Sequence, residues 1–192
     1  MKKLLMLTSL AAGVLAVPAY AALDEGSAAP DFTAPASLDG TEFTYSLKES
    51  LGEGPTVVYF YPSAYTQGCN IQAHTFAINM EKFKEAGASV VGVSLDSIER
   101  LNDFSADPDY CAGELPVVSD ADGSIAASYD LQVREVRDGA KDTRGIDIGH
   151  GFAERTTFVI TPDGKVAGTI GGVSPEENVT ESLDLIRQIA KN

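Results

Sequence analysis

The chain alternates between short apolar runs of strand-forming residues and longer stretches in which apolar residues recur with helical spacing. Residues 56–61, TVVYFY, are β-branched or aromatic throughout, a pattern typical of a central strand buried on both faces. Residues 88–96, ASVVGVSLD, have the same character. Between these two runs, apolar side chains on one helical row predict an amphipathic helix over residues 67–86 that ends at Gly87.

The second half of the chain continues this alternation. Residues 97–106 predict a helix capped by Ser97, and residues 174–192 predict a final helix with Ser174 as its N-cap and Pro175 in its first turn. Two apolar runs around a Pro-Asp-Gly turn predict a β-hairpin over residues 155–170. Shorter elements are expected as strands at 42–47 and 115–120 and a helix at 122–129, with loops at 23–40 and 138–150.

The order of these elements determines the fold class. Strands that alternate with helices form a parallel sheet, and a late hairpin adds antiparallel strands to it. A β-α-β half followed by a β-β-α half is the layout of a thioredoxin-like fold. The sequence therefore predicts an α/β protein with a central mixed β-sheet flanked by helices.

The first residues have a different composition from the rest. Two lysines precede an apolar run from Leu4 to Val17, and the segment ends in Ala19-Tyr20-Ala21. This is the pattern of a secretory signal peptide, and the apolar run is shorter than the roughly 20 residues that span a bilayer. We expect a signal peptide at residues 1–21, cleavage after Ala21, one domain at residues 22–192, and a periplasmic or secreted protein.

Charge narrows the range of partners. The formal net charge of the whole chain is −14, and the leader contributes only basic residues to it, so the remainder is more acidic still. Such a surface argues against nucleic acid and against anionic membranes as partners. The two histidines are not placed to complete a zinc site with the two cysteines, so we expect neither a metal nor a cofactor.

Cys69 occupies a notable position in this predicted arrangement. It follows the carboxyl end of a central strand and falls in the first turn of the next helix, and ligands bind in that crevice of open α/β sheets. A helix N-terminus presents unpaired N–H groups and favours the thiolate, which is the reactive form of cysteine. Thr66 can direct a hydroxyl into the same crevice, and Pro62 ends the strand. An inert buried thiol is the alternative, which the polar, glycine-containing loop disfavours.

The stretch YPSAYTQGC resembles the P-x-x-x-[TS]-x-x-C active-site loop of peroxiredoxins, matched by Pro62, Thr66 and Cys69. The preceding VVYFYP is similar to the peroxiredoxin Q, or bacterioferritin comigratory protein, subgroup. VVGVSLDS, LPVVSDADGSIAASYDL and RTTFVITPDGKV resemble later blocks of the family in the same order. The resemblance covers most of residues 22–192 and implies a thiol-dependent peroxidase that reduces hydrogen peroxide and organic hydroperoxides.

The resemblance also implies roles for individual residues. Cys69 would be the peroxidatic cysteine, which becomes a sulfenic acid. Thr66 would hydrogen-bond the peroxide, and Arg155 would stabilise the thiolate and the departing oxygen. Backbone N–H groups near Gly68 would add an anion-stabilising nest. Without the resemblance, the residues leave a second possibility open for Arg155, namely a surface arginine paired with Glu154.

The chain departs from the subgroup at two positions on the predicted helix. His74 stands where many members carry a resolving cysteine, and Gln72 stands where Glu is common. Cys111 is then the remaining resolving candidate, although it lies in a segment that matches the family only approximately. Three possibilities stay open: Cys111 resolves the sulfenic acid at Cys69 as an intramolecular disulfide, it forms a static disulfide with Cys69, or it is free.

Two other functions on the same scaffold remain as alternatives. A periplasmic thiol-disulfide oxidoreductase normally uses C-x-x-C, which is absent here. A non-catalytic binding protein is the other, because fold does not determine function. For the peroxidase, the expected partners are a peroxide and a thioredoxin-like or glutaredoxin-like thiol carrier, and we expect a monomer or weak homodimer.

Overall fold

The computed structural model describes residues 22–191, so the expected signal peptide lies outside the described residues. The strands are β1 (Thr33–Leu38), β2 (Thr41–Ser46), β3 (Thr56–Phe60), β4 (Ser89–Ser94), β5 (Val117–Ser119), β6 (Val133–Arg134), β7 (Phe152–Ala153), β8 (Thr156–Ile160) and β9 (Val166–Gly171). The helices are α1 (Leu47–Glu53), α2 (Gln67–Glu85), α3 (Ile98–Ala106), α4 (Ser124–Ser128) and α5 (Pro175–Ile189). None of these helices is both long and apolar enough to cross a membrane.

The main sheet is mixed, as the sequence predicts. Its strand order is β2-β1-β5-β4-β3-β8-β9. Strands β3, β4 and β5 are parallel, whereas β8 runs antiparallel to β3 and pairs with β9 as the expected hairpin. All five residues of β3 are buried, which agrees with its continuous apolar pattern.

Two hydrophobic clusters cover the faces of this sheet. Because side chains alternate along a strand, Val57 and Tyr59 of β3 enter one cluster, and Val58 and Phe60 enter the other. The first cluster is completed by α2, α3 and α5, and the second by α1, α4 and the segment that precedes β1. Both cysteines belong to the first cluster.

The predicted helix ends are confirmed where the capping chemistry is strong. The Ser97 side chain accepts a hydrogen bond from the backbone N–H of Arg100 and caps α3. Ser174 and Glu177 form a capping box at the start of α5, with Pro175 in the first turn. Helix α2 spans nearly the whole predicted range.

Several expectations were wrong. Strand β1 lies inside the stretch 23–40 that the sequence predicts as a loop, and its TAPASL composition explains the error, since Ala and Pro are poor strand formers. Leu47 begins α1 rather than ending a strand, because the Ser46 side chain accepts from the N–H of Glu49 and caps a helix there. The β6–β7 ladder was also missed, because two-residue strands are too short to give a periodic signal.

Candidate active site

Cys69 lies in the first turn of α2. The helix begins at Gln67, and Thr66 is its N-cap, with extended backbone angles. The first helical hydrogen bond there runs from the N–H of Asn70 to the carbonyl of Thr66 at 2.8 Å, so the N–H groups of residues 67–69 precede the helical ladder. The Cys69 side chain is 1% exposed, and its thiol therefore lies at the positive end of a 19-residue helix, shielded from bulk water.

The structure brings Arg155 to Cys69. Thr156 pairs with Phe60, so Arg155 precedes β8 beside the point where the chain leaves β3. Its Nη2 donates to the Cys69 Sγ at 3.3 Å across 86 positions of sequence. Arg155 is therefore a partner of the thiol, in contrast to the alternative of a surface arginine paired with Glu154.

Buried amides hold this arginine. Arg155 Nη1 donates to the Gln72 side-chain oxygen, and Gln72 Nε2 donates to Asn178 Oδ1 at 2.9 Å. Asn178, on α5, also accepts from Thr157 Oγ1 at 2.6 Å and donates to the carbonyl of Ile170. Because Gln72 is neutral, it positions the guanidinium without cancelling its charge.

Gly68 lies directly against the same arginine. A side-chain Cβ built at residue 68 would come within 3.1 Å of Arg155 Nη2, which is closer than ordinary van der Waals contact. The absence of a side chain at this position thus lets the guanidinium approach the helix N-terminus and the sulfur.

Thr66 and Pro62 complete the set of predicted residues. Thr66 Oγ1 donates to the carbonyl of Ser63 at 2.8 Å, which fixes the hydroxyl and leaves its lone pairs able to accept a hydrogen bond. Pro62 is half-buried and lines a surface depression, and this depression also reaches Arg155. Apart from Pro62 and Arg155, the depression is lined by Arg134, Phe152, Ala153 and Glu154.

A buried carboxylate holds the turn before the helix, and the sequence analysis missed it. Asp96 is 0% exposed and accepts from the N–H of Ala64 at 2.7 Å, from Ser63 Oγ at 2.9 Å and from Ser94 Oγ at 2.8 Å. His150 Nε2 and Arg100 Nε each lie 2.8 Å from Asp96 Oδ1. The available signal was the position of Asp96 just beyond a parallel strand, at the same sheet edge as Cys69.

Asp96 and His150 stabilise each other's charge. Burial by itself raises the pKa of Asp96, but the hydrogen bonds and charge of His150, with those from Ala64 and Ser94, outweigh it and leave that pKa below its ordinary value. Burial likewise lowers the pKa of His150, and the Asp96 contact outweighs it and leaves the pKa of His150 raised. The turn that carries Ser63 and Ala64 is thus anchored on an ion pair.

Cys111 lies elsewhere in the same cluster, in the turn between α3 and β5. It is 0% exposed, and burial, with a smaller contribution from the Asp107 charge, raises the pKa of its thiol strongly. Cys69 and Cys111 are both free thiols in this structure. His74 Nδ1 lies 3.1 Å from the carbonyl of Asp109 and so joins α2 to the Cys111 turn.

Comparison with known proteins is consistent with this arrangement. Residues 26–169 match the model of the AhpC/TSA family. The chain is 33% identical over 138 residues to peroxiredoxin Bcp of Xanthomonas campestris pv. campestris, covering 72% of this chain and 78% of that protein. It is 31% identical over 173 residues to chloroplastic peroxiredoxin Q of Sedum lineare, covering 88% and 81%.

A solved structure supports the same assignment. Peroxidoxin BcpB from Mycobacterium tuberculosis superposes with a TM-score of 0.72 at 30% identity, covering 87% of this chain and 98% of that one. The mixed seven-stranded sheet flanked by helices is therefore the thioredoxin-like fold of the peroxiredoxins. The chain belongs to the AhpC/TSA family and is a peroxiredoxin, an enzyme that reduces peroxides at the expense of thiols.

Proposed function

We propose that Cys69 is the peroxidatic cysteine. The contact between Arg155 Nη2 and Cys69 Sγ, made at the N-terminus of α2, is the observation that carries this assignment. The Cys69 thiolate attacks one peroxide oxygen, an S–O bond forms as the O–O bond breaks, and the departing oxygen takes up a proton to leave as water or an alcohol. The product on the enzyme is a sulfenic acid.

The surroundings of Cys69 favour the transition state of this step. Negative charge moves from sulfur to the departing oxygen, and a positioned guanidinium stabilises charge at both places. The N–H groups of residues 67–69 precede the helical ladder and point toward the same region. Since Gln72 and Asn178 fix Arg155 before the substrate arrives, little reorganisation is required during the reaction.

The remaining residues bind the peroxide. Thr66 Oγ1 accepts the hydrogen bond of the peroxide O–H, and Pro62 shapes the entrance to the pocket. The depression that reaches Arg155 is lined partly by Phe152 and Ala153, which suits the alkyl part of an organic hydroperoxide. Hydrogen peroxide and organic hydroperoxides are therefore the proposed substrates.

Cys111 resolves the sulfenic acid in this proposal. Its sulfur attacks the Cys69 sulfur, an S–S bond forms, the S–O bond breaks, and the hydroxyl leaves with the Cys111 proton as water. A thioredoxin-like or glutaredoxin-like carrier then reduces the intramolecular disulfide. We place the reaction in the periplasm or outside the cell, with the signal peptide removed after Ala21 and residues 22–192 acting as one domain, a monomer or weak homodimer.

The proposal is tested by mass spectrometry after one equivalent of peroxide. The expected product is an intramolecular Cys69–Cys111 disulfide that a dithiol reverses, with one peroxide consumed per chain. A persistent sulfenic acid at Cys69, or a dimer joined through Cys69, would exclude Cys111 as the resolving residue. Disulfide exchange activity without peroxide consumption would instead support a thiol-disulfide oxidoreductase.

A further inference from the structure

A groove on the surface takes no part in the proposed reaction with peroxide. It lies where the start of α2, the turn that carries Cys111 and the start of α5 meet, and its volume is about 410 Å³. Its lining includes Asn70, Ile71 and His74 from α2, Asp109 and Tyr110 from the turn, and Glu176 from α5. We call it the α2 groove. The contact of 3.1 Å between His74 Nδ1 and the Asp109 carbonyl joins two of its walls.

The α2 groove lies beside both cysteines along the chain. Asn70 directly follows Cys69, and Tyr110 directly precedes Cys111. Since consecutive Cα atoms are about 3.8 Å apart, a molecule that contacts Asn70 and Tyr110 touches the chain neighbour of each thiol. The depression that reaches Arg155 shares no lining residue with this groove, so a molecule in the groove leaves that depression open.

The side-chain amide of Asn70 retains unused hydrogen-bonding capacity. Asn70 is 8% exposed, and its Oδ1 is buried without a hydrogen-bond partner among the residues that the structure describes. Buried polar atoms in native proteins are nearly always bonded, so an exception calls for a partner from outside the chain. An asparagine amide has one acceptor and one donor group, and an extended peptide backbone offers the complement of both.

The rim of the groove is acidic. Asp109 and Glu176 are exposed, and neither carboxylate belongs to an ion pair within the described part of the chain. Apolar surface lies beside them, because Ile71 is 36% exposed and Ile78, seven positions further on the same face of α2, is 65% exposed. Unpaired carboxylates around apolar surface suit a partner with basic side chains at its own rim.

We propose that the α2 groove is the docking site of the thiol carrier that reduces the oxidised enzyme, and that this carrier is basic around its reactive cysteines. An extended segment of the carrier hydrogen-bonds the Asn70 amide, and its basic side chains face Asp109 and Glu176. The formal net charge of −14 on the whole chain attracts such a carrier from a distance. The inference rests on the proposed function, because it requires that peroxide first oxidises Cys69.

The step at this site is a thiol-disulfide exchange. A carrier thiolate attacks one sulfur of the Cys69–Cys111 disulfide, a mixed disulfide forms, and the other enzyme sulfur leaves as a thiolate that takes up a proton. The second carrier thiol then displaces the first sulfur, which leaves as a thiol. The enzyme gains two electrons and two protons, and the carrier is left with one intramolecular disulfide.

Two synthetic dithiol peptides serve as probes, Lys-Lys-Cys-Gly-Gly-Cys-Lys and Glu-Glu-Cys-Gly-Gly-Cys-Glu, with dithiothreitol as an uncharged reference. Rapid-quench mass spectrometry measures how fast each reduces the peroxide-oxidised enzyme, and each rate is divided by that reagent's rate with the disulfide of mercaptoethanol. We expect wild type to favour the lysine peptide by about tenfold or more at low salt. The preference should fall as salt is added.

Paired charge variants locate the preference. Asp109→Asn with Glu176→Gln should reduce it to within about twofold of unity, because the rim carboxylates are gone. Glu85→Gln with Glu181→Gln is the control, since it removes two exposed carboxylates from α2 and α5 outside the groove and changes the net charge equally. Both pairs should keep the single-turnover peroxide rate of wild type, which shows that they are folded.

Asn70→Ala examines the contact with peptide backbone. It should slow both peptides by about tenfold, the scale of one or two hydrogen bonds, and leave reduction by dithiothreitol within about twofold of wild type. Dithiothreitol has no peptide group for the amide to bind, so a general distortion near Cys69 would slow all three reagents alike. If Asn70→Ala does not fold, the charge variants decide the matter.

Three results would overturn the docking site while the peroxide step stays intact. One is a lysine preference that survives Asp109→Asn with Glu176→Gln, and another is a preference that the control pair reduces as much. The third is a dimer in sedimentation velocity that Ile71→Ser dissociates, because a second copy of this chain would then occupy the groove. A wild type that consumes no peroxide overturns the proposed function and this inference together.

Discussion

Cys69 and Cys111 are both buried in the layer between the sheet and helices α2, α3 and α5, but only Cys69 has a cation on its sulfur. Arg155 donates to the Cys69 sulfur at 3.3 Å, and the helix N-terminus adds its partial positive charge. Around Cys111 lie aromatic side chains and the Asp107 carboxylate, and the pKa of its thiol is raised.

The two thiols therefore differ in the groups around them and not in exposure, since both are almost fully buried. A thiol next to a guanidinium is suited to attack a peroxide as the thiolate. A thiol with a raised pKa stays protonated and is therefore unreactive toward peroxide. The same fold can therefore favour the thiolate at one cysteine and the protonated thiol at the other.

The largest effect should come from exchanging each sulfur for oxygen. Cys69→Ser is expected to abolish peroxide reduction, because no other thiol has the cation and the helix N-terminus. Cys111→Ser should leave the first turnover intact and stop the second when only a disulfide-reducing carrier is supplied. Single-turnover peroxide consumption measures the first effect, and the coupled steady-state assay measures the second.

Substantial single-turnover activity in Cys69→Ser would reverse the assignment of the two thiols. The matched comparison is internal, since each serine variant retains the other cysteine and the same aromatic cluster. Loss of the first turnover in both variants would mean that Cys111 takes part before the sulfenic acid forms.

Removing the Arg155 guanidinium should make the surroundings of Cys69 more like those of Cys111. Arg155→Ala is expected to slow the reaction with peroxide by about 100-fold, the scale for loss of one positioned donor to developing charge. Arg187→Ala, at an exposed arginine on α5, is the control and should have no effect. A rate within a factor of two of wild type would show that the helix N-terminus activates Cys69 without Arg155.

A smaller effect is expected when the arginine is displaced and not removed. In Gly68→Ala, the new Cβ would lie 3.1 Å from Arg155 Nη2, and the hydrogen bond to Gln72 limits how far the guanidinium can retreat. We expect a loss of roughly tenfold in the peroxide rate, because sub-ångström misplacement of a catalytic group is costly. Gly52→Ala, where nothing lies within 4 Å of the new Cβ, is the control.

The sequence located Cys69 and its helix correctly, but it did not reveal the contacts between segments that lie far apart in the chain. The apolar run before Pro62 and the helical spacing after Thr66 are local signals, and they locate Cys69 at the start of α2. The contacts of Gln72 with Asn178, and of Asp96 with Ala64, join residues far apart in the chain, which no local pattern encodes.

The segment 138–150 shows the same limit in a different way. Its glycine-rich, polar composition correctly indicates a loop, yet composition says nothing about what a loop contacts. Thr143 and Arg144 contact Tyr65 in the turn before α2, and His150 contacts Asp96, which holds that turn. These partners became evident only with the fold. Strand β1 was missed for the opposite reason, since its partners impose a strand on a sequence that does not favour one.

The smallest expected effect concerns the pH dependence of stability. It again separates the surroundings of Cys69 from those of Cys111, because the turn before Cys69 is anchored by the titratable groups Asp96 and His150. Both ring nitrogens of His150 face oxygen acceptors, Asp96 Oδ1 and the carbonyl of Gly151, each at 2.8 Å, which suits the doubly protonated ring. The raised pKa of His150 means that its contribution is fully present below about pH 6.5 and is lost as the pH rises through the folded-state value. The lowered pKa of Asp96 means that its contribution is present above about pH 3.8 and is lost as the pH falls through the folded-state value.

Wild type should therefore exceed His150→Asn in unfolding free energy most clearly between these limits, by about 1 kcal/mol, the net scale of one buried hydrogen bond. The advantage should shrink as the pH is raised through the folded-state pKa of His150, above which the imidazole is neutral in both the folded and the unfolded chain. Urea unfolding across this range measures it, and the same substitution made in an Asp96→Asn background should show no such pH dependence, because the charge that holds the proton is gone. A difference that grows with pH, or that persists unchanged without Asp96, would mean that His150 stabilises the turn by packing and not by its charge.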